Sequence, residues 1–344
     1  MLQFHELDKL RARSLPACRL PVKVQRLSWS SDPARGAQDI TVINTRPSRE
    51  GGQHWIITDS GLGGLGVCAQ IERKFSRSGA RNDLRITYFN AWPEQGRGYN
   101  DLPDLPSRAR IFDRALRCMD RLMPDRILIA CNTLSVLYPM TSYSRTTAVP
   151  VVGIIDAGVE LFSDALEEQP SSAIAMFGTR TTIESGMHRD RLLERGIDGK
   201  RMAAISCHGL AAAIEKDPAG AAVTHLLEQC AAEACRQDLS GSPLYAGLCC
   251  THYSYIQEQF RSVLERHMGR TVRILDPNDR MVRNLAPRDG PASAGPAPRP
   301  IVVTVVSKVE LGDIPRRAVA GLLAPVSEAT ARALLSYNWR PGLF

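Results

Sequence analysis

Two short apolar runs, each stopping abruptly at a thiol, constrain this chain more than any other feature. The first is Arg126-Ile-Leu-Ile-Ala-Cys-Asn-Thr133 and the second is Leu244-Tyr-Ala-Gly-Leu-Cys-Cys-Thr-His252. A run of four to six apolar residues ended by polar ones fits a strand buried on both faces, which delivers its last side chain to the carboxyl edge of a parallel sheet. Ligands of open α/β sheets bind at that edge. The spacing adds a second constraint. Asp59, at the end of the apolar run 55–58, precedes Cys131 by 72 residues, and Thr179, at the end of the run 173–177, precedes Cys250 by 71. Nearly equal intervals between matching strand ends point to a duplicated pair of α/β lobes with the two thiols facing each other across a cleft.

The intervening pattern agrees with this. Strands are expected at 55–58, 84–89 and 126–130, with helices over 65–75 and 107–122 between them. After Pro150 the cycle resumes with strands at 151–155, 173–177, 202–207 and 244–250, and helices over 157–166, 184–195 and 219–235. A helix over 253–267, a strand at 272–275, a strand at 301–306 and a helical tail over 318–337 complete the chain. Alternation of this kind reads as parallel α/β. The expected architecture is two pseudo-symmetric lobes, each a mostly parallel sheet flanked by helices. Residues 51–149 plus 255–344 form the first lobe and 150–254 the second. Residues 1–50, rich in Arg, Pro and Ser with one short apolar run at 40–44, form an extension of unassigned role, and 284–300 form a Pro/Gly/Ala-rich loop.

Composition narrows the function classes. A chain of 344 residues is long enough for two cores. The net charge of +7 comes without a dense Lys/Arg tract, so nucleic acid is not an expected partner. No apolar run approaches the length of a membrane span, and the N-terminus lacks the apolar stretch of a signal peptide. Nine cysteines without framework spacing suggest reduced thiols and a cytoplasmic protein.

Two motif readings fail on inspection. Gly61-x-Gly63-x-x-Gly66 matches a dinucleotide fingerprint literally, but no acidic residue ends the second strand, and Asp59 before the glycines would oppose a pyrophosphate. The glycines are better suited to a tight turn that presents Asp59 and Ser60, with backbone donors for a carboxylate. Cys249, Cys250 and His252, even with Cys207-His208, lack the paired spacing of a structural zinc site, so no metal is expected. Each strand-end Cys could also be a small core residue, and the residues alone leave packing and chemistry about equally open.

Asp59-Ser-Gly-Leu-Gly-Gly64, Ala130-Cys-Asn-Thr133 and Cys250-Thr-His-Tyr253, in this order and separation, resemble the glutamate racemase family of the aspartate/glutamate racemase superfamily. The resemblance covers roughly residues 55–340. It implies racemisation at Cα without pyridoxal phosphate, metal or other cofactor. Cys131 and Cys250 would be the two acid/bases, assisted by Asp59 on one side and by His252 and Glu215 on the other. Ser60, Asn132, Thr133, Thr179, Thr182 and Thr251 would bind the substrate, and Tyr99 and Asn100 would take the place of the family's Tyr-Gly step. The implied partner is a small amino acid or dicarboxylate, glutamate by default, and a homodimer is compatible with the family. Such enzymes supply D-amino acids for peptidoglycan precursors. The chain departs from the family in the loop 90–100, in His188 where a Tyr is usual, and in Cys249 where a Gly is usual. Reaction type is therefore better supported than substrate. Two alternatives remain: a decarboxylase or isomerase of the same superfamily acting on a dicarboxylic acid, and a non-catalytic binding protein on the same fold.

Overall fold

The computed structural model describes residues 52–77, 84–285 and 300–344. The extension 1–50, its apolar run 40–44 and most of the expected loop 284–300 lie outside these residues.

The first half opens with β1 (Gln53–Asp59), α1 (Leu65–Arg77), β2 (Leu84–Asn90), α2 (Leu105–Arg121), β3 (Arg126–Ile129), α3 (Asn132–Leu137), α4 (Tyr143–Thr146) and β4 (Val151–Gly153). Then come α5 (Ile154–Glu168), β5 (Ala173–Gly178), α6 (Arg180–Glu184), α7 (Met187–Glu194), β6 (Met202–Ser206), α8 (Leu210–Lys216), α9 (Ala221–Cys235) and β7 (Leu244–Cys249). The last part comprises α10 (Gln257–Met268), β8 (Val272–Leu275), α11 (Pro277–Leu285), β9 (Val302–Ser307), α12 (Asp313–Leu323), α13 (Glu328–Leu335) and β10 (Asn338–Trp339).

The strands form two parallel sheets, one ordered β10-β9-β2-β1-β3-β4 and the other β6-β5-β7-β8. Helices flank both, as the alternation of the sequence implies. The central strands are buried along nearly their whole length: β5 and β7 have no exposed residue, and β1 only its first. That is why they read as continuous apolar runs rather than alternating ones. Ile56 and Ile57 are fully buried, each worth about 1.5–3 kcal/mol of apolar transfer. Gly247 in β7 lets α5 approach, because a Cβ there would lie 2.7 Å from the Phe162 ring.

Several boundaries differ from the sequence expectation. β4 pairs with β3 in the first sheet and β8 pairs with β7 in the second, so the second sheet runs from residue 173 to 275 rather than lying within 150–254. Strand order depends on which edge a segment joins, and no local pattern carries that information. Ile154 and Ile155 belong to α5 rather than to a strand 151–155. The helix expected over 184–195 is divided by Gly186, whose φ of +66° favours glycine. The helical tail is broken after Leu323, where Pro325 intervenes and the Ser327 side chain caps α13 by accepting from Thr330 N. Among the described residues no helix is long and apolar enough to cross a membrane.

Candidate active site

The two sheets bring equivalent strand ends to one place. In the first, Thr58 pairs with Ile129, so Asp59 and the Ala130-Cys131 step leave the sheet side by side. In the second, Gly178 pairs with Cys249, so Thr179 and Cys250 do the same. Cys131 caps α3, and Cys250 caps the short 3₁₀ turn Thr251–Ile256. Both backbones are extended at the thiol, with φ/ψ of −92°/127° and −153°/130°. The chain turns sharply there, leaving each sulfur at the sheet edge.

Both thiols line one cavity of about 250 Å³, a size suited to a small molecule. Asp59, Ser60, Asn132 and Thr133 line it from the first sheet, and Thr179, Thr251, His252 and Glu215 from the second. Tyr99 and Asn100, from the loop after β2, complete the wall. Thr182 does not line it. It stands behind, with its hydroxyl 3.0 Å from that of Thr179 and 3.5 Å from that of Thr133, and Thr133 and Thr179 are 2.8 Å apart. The three threonines form a hydroxyl network across the lobes. Asn100 Oδ1 accepts from both the backbone N–H and the hydroxyl of Thr181, at 3.1 and 2.7 Å, so it also ties the loop to α6.

The two thiols have different company. Cys131 Sγ lies 3.2 Å from Ser60 Oγ. Burial first, and then the charge of Asp59, push this thiol far above its ordinary value, against the smaller opposing effect of the Ser60 contact. Asp59 is itself raised by burial, partly offset by His252 and by the Thr251 hydroxyl that donates to its Oδ2 at 2.9 Å. Cys250 Sγ faces His252 Nδ1 at 3.7 Å, and His252 Nε2 is 2.6 Å from Glu215 Oε1. Burial works to lower the His252 pKa, but its bonds to Cys250 and Glu215 outweigh that and raise it well above the ordinary value. A protonated imidazole beside a sulfur favours the thiolate.

The glycine-rich turn has a different reason from the one the sequence suggested. None of its glycines has a positive φ. Gly61 and Gly63 are small because the second lobe presses against them: a Cβ on Gly61 would lie 2.5 Å from Glu215 Oε1, and one on Gly63 2.4 Å from Thr251 Oγ1 and 2.5 Å from His252 Nδ1. The backbone donor does meet a carboxylate, that of Glu215, which accepts from Leu62 N at 2.6 Å.

Some groups have unused hydrogen-bonding capacity. Asp59 Oδ1, the Tyr99 hydroxyl and both amide atoms of Asn132 are buried, line the cavity walls, and have no partner among the described residues. Buried polar atoms are normally paired, so a polar ligand in the cavity would offset their desolvation. Trp92, Cys207, His208, Ala211 and Ala212 also line the cavity and were not singled out from sequence as ligand contacts. Arg108 was missed altogether. It is 9% exposed and donates to the Thr181 hydroxyl at 2.6 Å and to Leu102 O through Nε and Nη2, bracing the loop–α6 junction. A charged residue in an otherwise amphipathic α2 carried no signal of this. Among the described residues, no three His, Cys, Asp or Glu side chains are grouped to hold a metal ion.

The family model for Asp/Glu/Hydantoin racemase matches residues 64–285. The chain belongs to this racemase family. A curated glutamate racemase from Persephonella marina is 30% identical over 146 residues, 41% of this chain and 49% of that protein. The chain spans about half the length of the curated relatives it matches. Among solved structures, a glutamate racemase isoform from Bacillus anthracis superposes with a TM-score of 0.56 at 19% identity, covering 85% of this chain and 96% of that one. The glutamate racemase of Francisella tularensis, solved in complex with D-glutamate, gives 0.57 at 18% identity, covering 79% and 94%. These superpositions establish the racemase fold, two mostly parallel sheets flanked by helices.

Proposed function

We propose that this chain is a cofactor-independent amino-acid racemase, an isomerase that moves the α-proton between two thiols, with glutamate as its first candidate substrate. One observation carries the reading: Cys131 and Cys250, from different sheets, line one small cavity, and each has its own polar partner.

Inversion at Cα needs a base on one face and an acid on the other. Cys250 beside protonated His252 acts as the base, and Cys131, held as a thiol by burial and Asp59, acts as the acid. For the enantiomer whose Cα–H faces Cys250, the thiolate takes that proton and the C–H electron pair stays on Cα. The Cys131 thiol then places its proton on the opposite face. The protein is left with a Cys250 thiol and a Cys131 thiolate, the arrangement that runs the reverse reaction, and exchange with solvent resets it. Glu215 holds the His252 proton in place. Asn132, Ser60, Thr133, Thr179 and Thr251 bind the carboxylates, and the free Asp59 oxygen receives the ammonium. Donors fixed before reaction stabilise the carbanion-like state without reorganising, which is where most of the barrier reduction in such sites arises.

The test is exchange in heavy water over a broad amino-acid panel. With L-glutamate, or another L-amino acid if specificity has shifted, early product should be the D-enantiomer carrying deuterium at Cα while recovered substrate stays unlabelled. Failure of every amino acid, from either enantiomer, with the protein folded and reduced would sink the reading.

A further inference from the structure

Two buried tyrosines that the proposed chemistry leaves unused grip the glycine-rich turn between the thiols. Tyr88, in β2 and fully buried, donates its hydroxyl to Gly61 O at 2.7 Å. Tyr255, in the turn after Cys250, donates to Leu62 O at 3.0 Å and to Gly63 O at 3.2 Å. Leu62 N donates in turn to Glu215 Oε1 at 2.6 Å, and that oxygen lies 2.6 Å from His252 Nε2.

Gly61 O and the Leu62 N–H belong to one peptide group. A trans peptide is planar, with its oxygen and hydrogen on opposite edges, so a hydroxyl that fixes the oxygen also fixes the direction of the N–H. An anchor is needed at this place. Position 61 must be glycine, since a Cβ there would lie 2.5 Å from Glu215 Oε1, and glycine leaves the peptide after it free to rotate. Turned over, that peptide would present its carbonyl oxygen to the Glu215 carboxylate, and two acceptors would face each other. The Tyr88 hydroxyl also polarises the peptide and strengthens its N–H bond to the carboxylate. We propose that Tyr88 is a positioning residue for the second half-site: it orients the Gly61–Leu62 peptide so that the Leu62 N–H holds Glu215 against His252, while Tyr255 steadies the two carbonyls that follow. A first-lobe tyrosine thereby governs the imidazole beside the second-lobe sulfur. Its kinetic consequence rests on the racemase reading, and its effect on His252 does not.

NMR titration of the full chain with nitrogen-15-labelled histidine, from pH 5 to 10, reads the His252 imidazole directly. The groups that face it are Cys250 from its own turn, Glu215 from α8 and Asp59 from β1. Tyr88→Phe removes only the hydroxyl and should bring the raised His252 midpoint down by at least about one pH unit. Tyr255→Phe should move it the same way by less, and serves where the Tyr88 variant does not fold. Adding Tyr88→Phe to Glu215→Gln should give no further movement, since the tyrosine acts through that carboxylate. Tyr143→Phe removes another buried hydroxyl, one that donates to Asp120 Oδ1 at 3.1 Å outside the cavity, and should leave His252 unmoved. The proposal is overturned by an unmoved midpoint in Tyr88→Phe, or in Tyr255→Phe where only that variant folds. Equal movement in the Tyr143 control, or additivity with Glu215→Gln, would overturn it as well. In Tyr88→Phe, kcat/KM at pH 7 should fall about tenfold with KM within about twofold of wild type. A wild-type chain that turns over no amino acid would sink the racemase reading and leave the titration to decide the role of Tyr88.

Discussion

Cys131 and Cys250 reach the cavity by the same route, at the N-cap position of the turn that follows a buried parallel strand, yet their neighbours differ in charge. The first thiol has a carboxylate at hand and the second an imidazole held protonated by Glu215. The backbone repeat is nearly symmetric, while the electrostatics are not. The halves also supply each other. Asp59 of the first lobe accepts from Thr251 of the second, and Glu215 of the second accepts from Leu62 N of the first. Identical local geometry therefore does not produce two equal bases. It places an imidazole beside one sulfur and a carboxylate near the other, the asymmetry on which the proposed mechanism rests.

The largest expected effect breaks the pair. If the proposed mechanism holds, Cys131→Ala and Cys250→Ala should each lower racemisation by at least about 10³-fold, since each removes one of its two proton-transferring groups. The residual behaviour should differ. Cys131→Ala keeps the Cys250–His252–Glu215 set and should still wash deuterium into one enantiomer without inversion. Cys250→Ala keeps only the thiol that burial and Asp59 hold protonated, and its wash-in should be slower. Proton NMR of both enantiomers in heavy water measures all four rates. If either thiol proved dispensable for turnover, the two-base reading would give way to a one-thiol decarboxylase or isomerase.

A smaller effect separates the partners. His252→Asn should lower kcat/KM by about 10²-fold near neutrality and restore part of the rate toward pH 9, because it removes the cation beside the Cys250 sulfur. Asp59→Asn should cost about tenfold and leave that alkaline rise absent. Rate profiles from pH 6 to 9.5 distinguish the two. Matching profiles would mean that the half-sites are electrostatically equivalent, contrary to their different neighbours.

What could be read from the chain follows from which interactions are local. The strand ends at Asp59, Cys131, Thr179 and Cys250 were visible because a strand buried on both faces shows as an unbroken apolar run that polar residues terminate. The parallel α/β architecture followed from the alternation of such runs with amphipathic stretches. Sheet membership of β4 and β8 was not visible, because it depends on which edge is free when the chain returns. The role of Gly63 was misread for the same reason: its constraint comes from Thr251 and His252, almost 190 positions away. Arg108 and its contacts to Leu102 and Thr181 were hidden because a buried Arg on a helix face looks like a surface one until its carbonyl and hydroxyl partners are placed. The short helix α8 that carries Glu215 was also missed as an element, since seven residues are too few to show a helical period clearly.

The smallest effect on catalysis tests what stands behind only one of the halves. The Cys131 turn is held by the backbone bond from Ser135 N to Cys131 O. The Cys250 turn rests in addition on Asn278, whose Nδ2 donates to Thr251 O at 3.2 Å and to Ser254 Oγ at 2.7 Å. Asn278 is positioned by Asp276, which accepts from its backbone N–H at 2.9 Å and from Gln257 Nε2 at 3.2 Å. Burial, with Asp279 adding to it, pushes the Asp276 carboxyl up to about 7. A carboxyl raised in the folded state binds its proton more tightly there than in the unfolded chain. Its contribution to stability is therefore full below pH about 4 and is lost as pH rises through about 7, a change of about 4 kcal/mol. Asp276→Asn should remove that dependence while altering kcat by less than about threefold, because the amide keeps an acceptor for Asn278. Urea unfolding of both proteins between pH 4.5 and 8 would show the wild-type advantage shrinking as pH rises. Parallel stability curves would mean that Asp276 ionises as freely in the folded protein as in the unfolded chain, and that it supports the second half-site as a carboxylate.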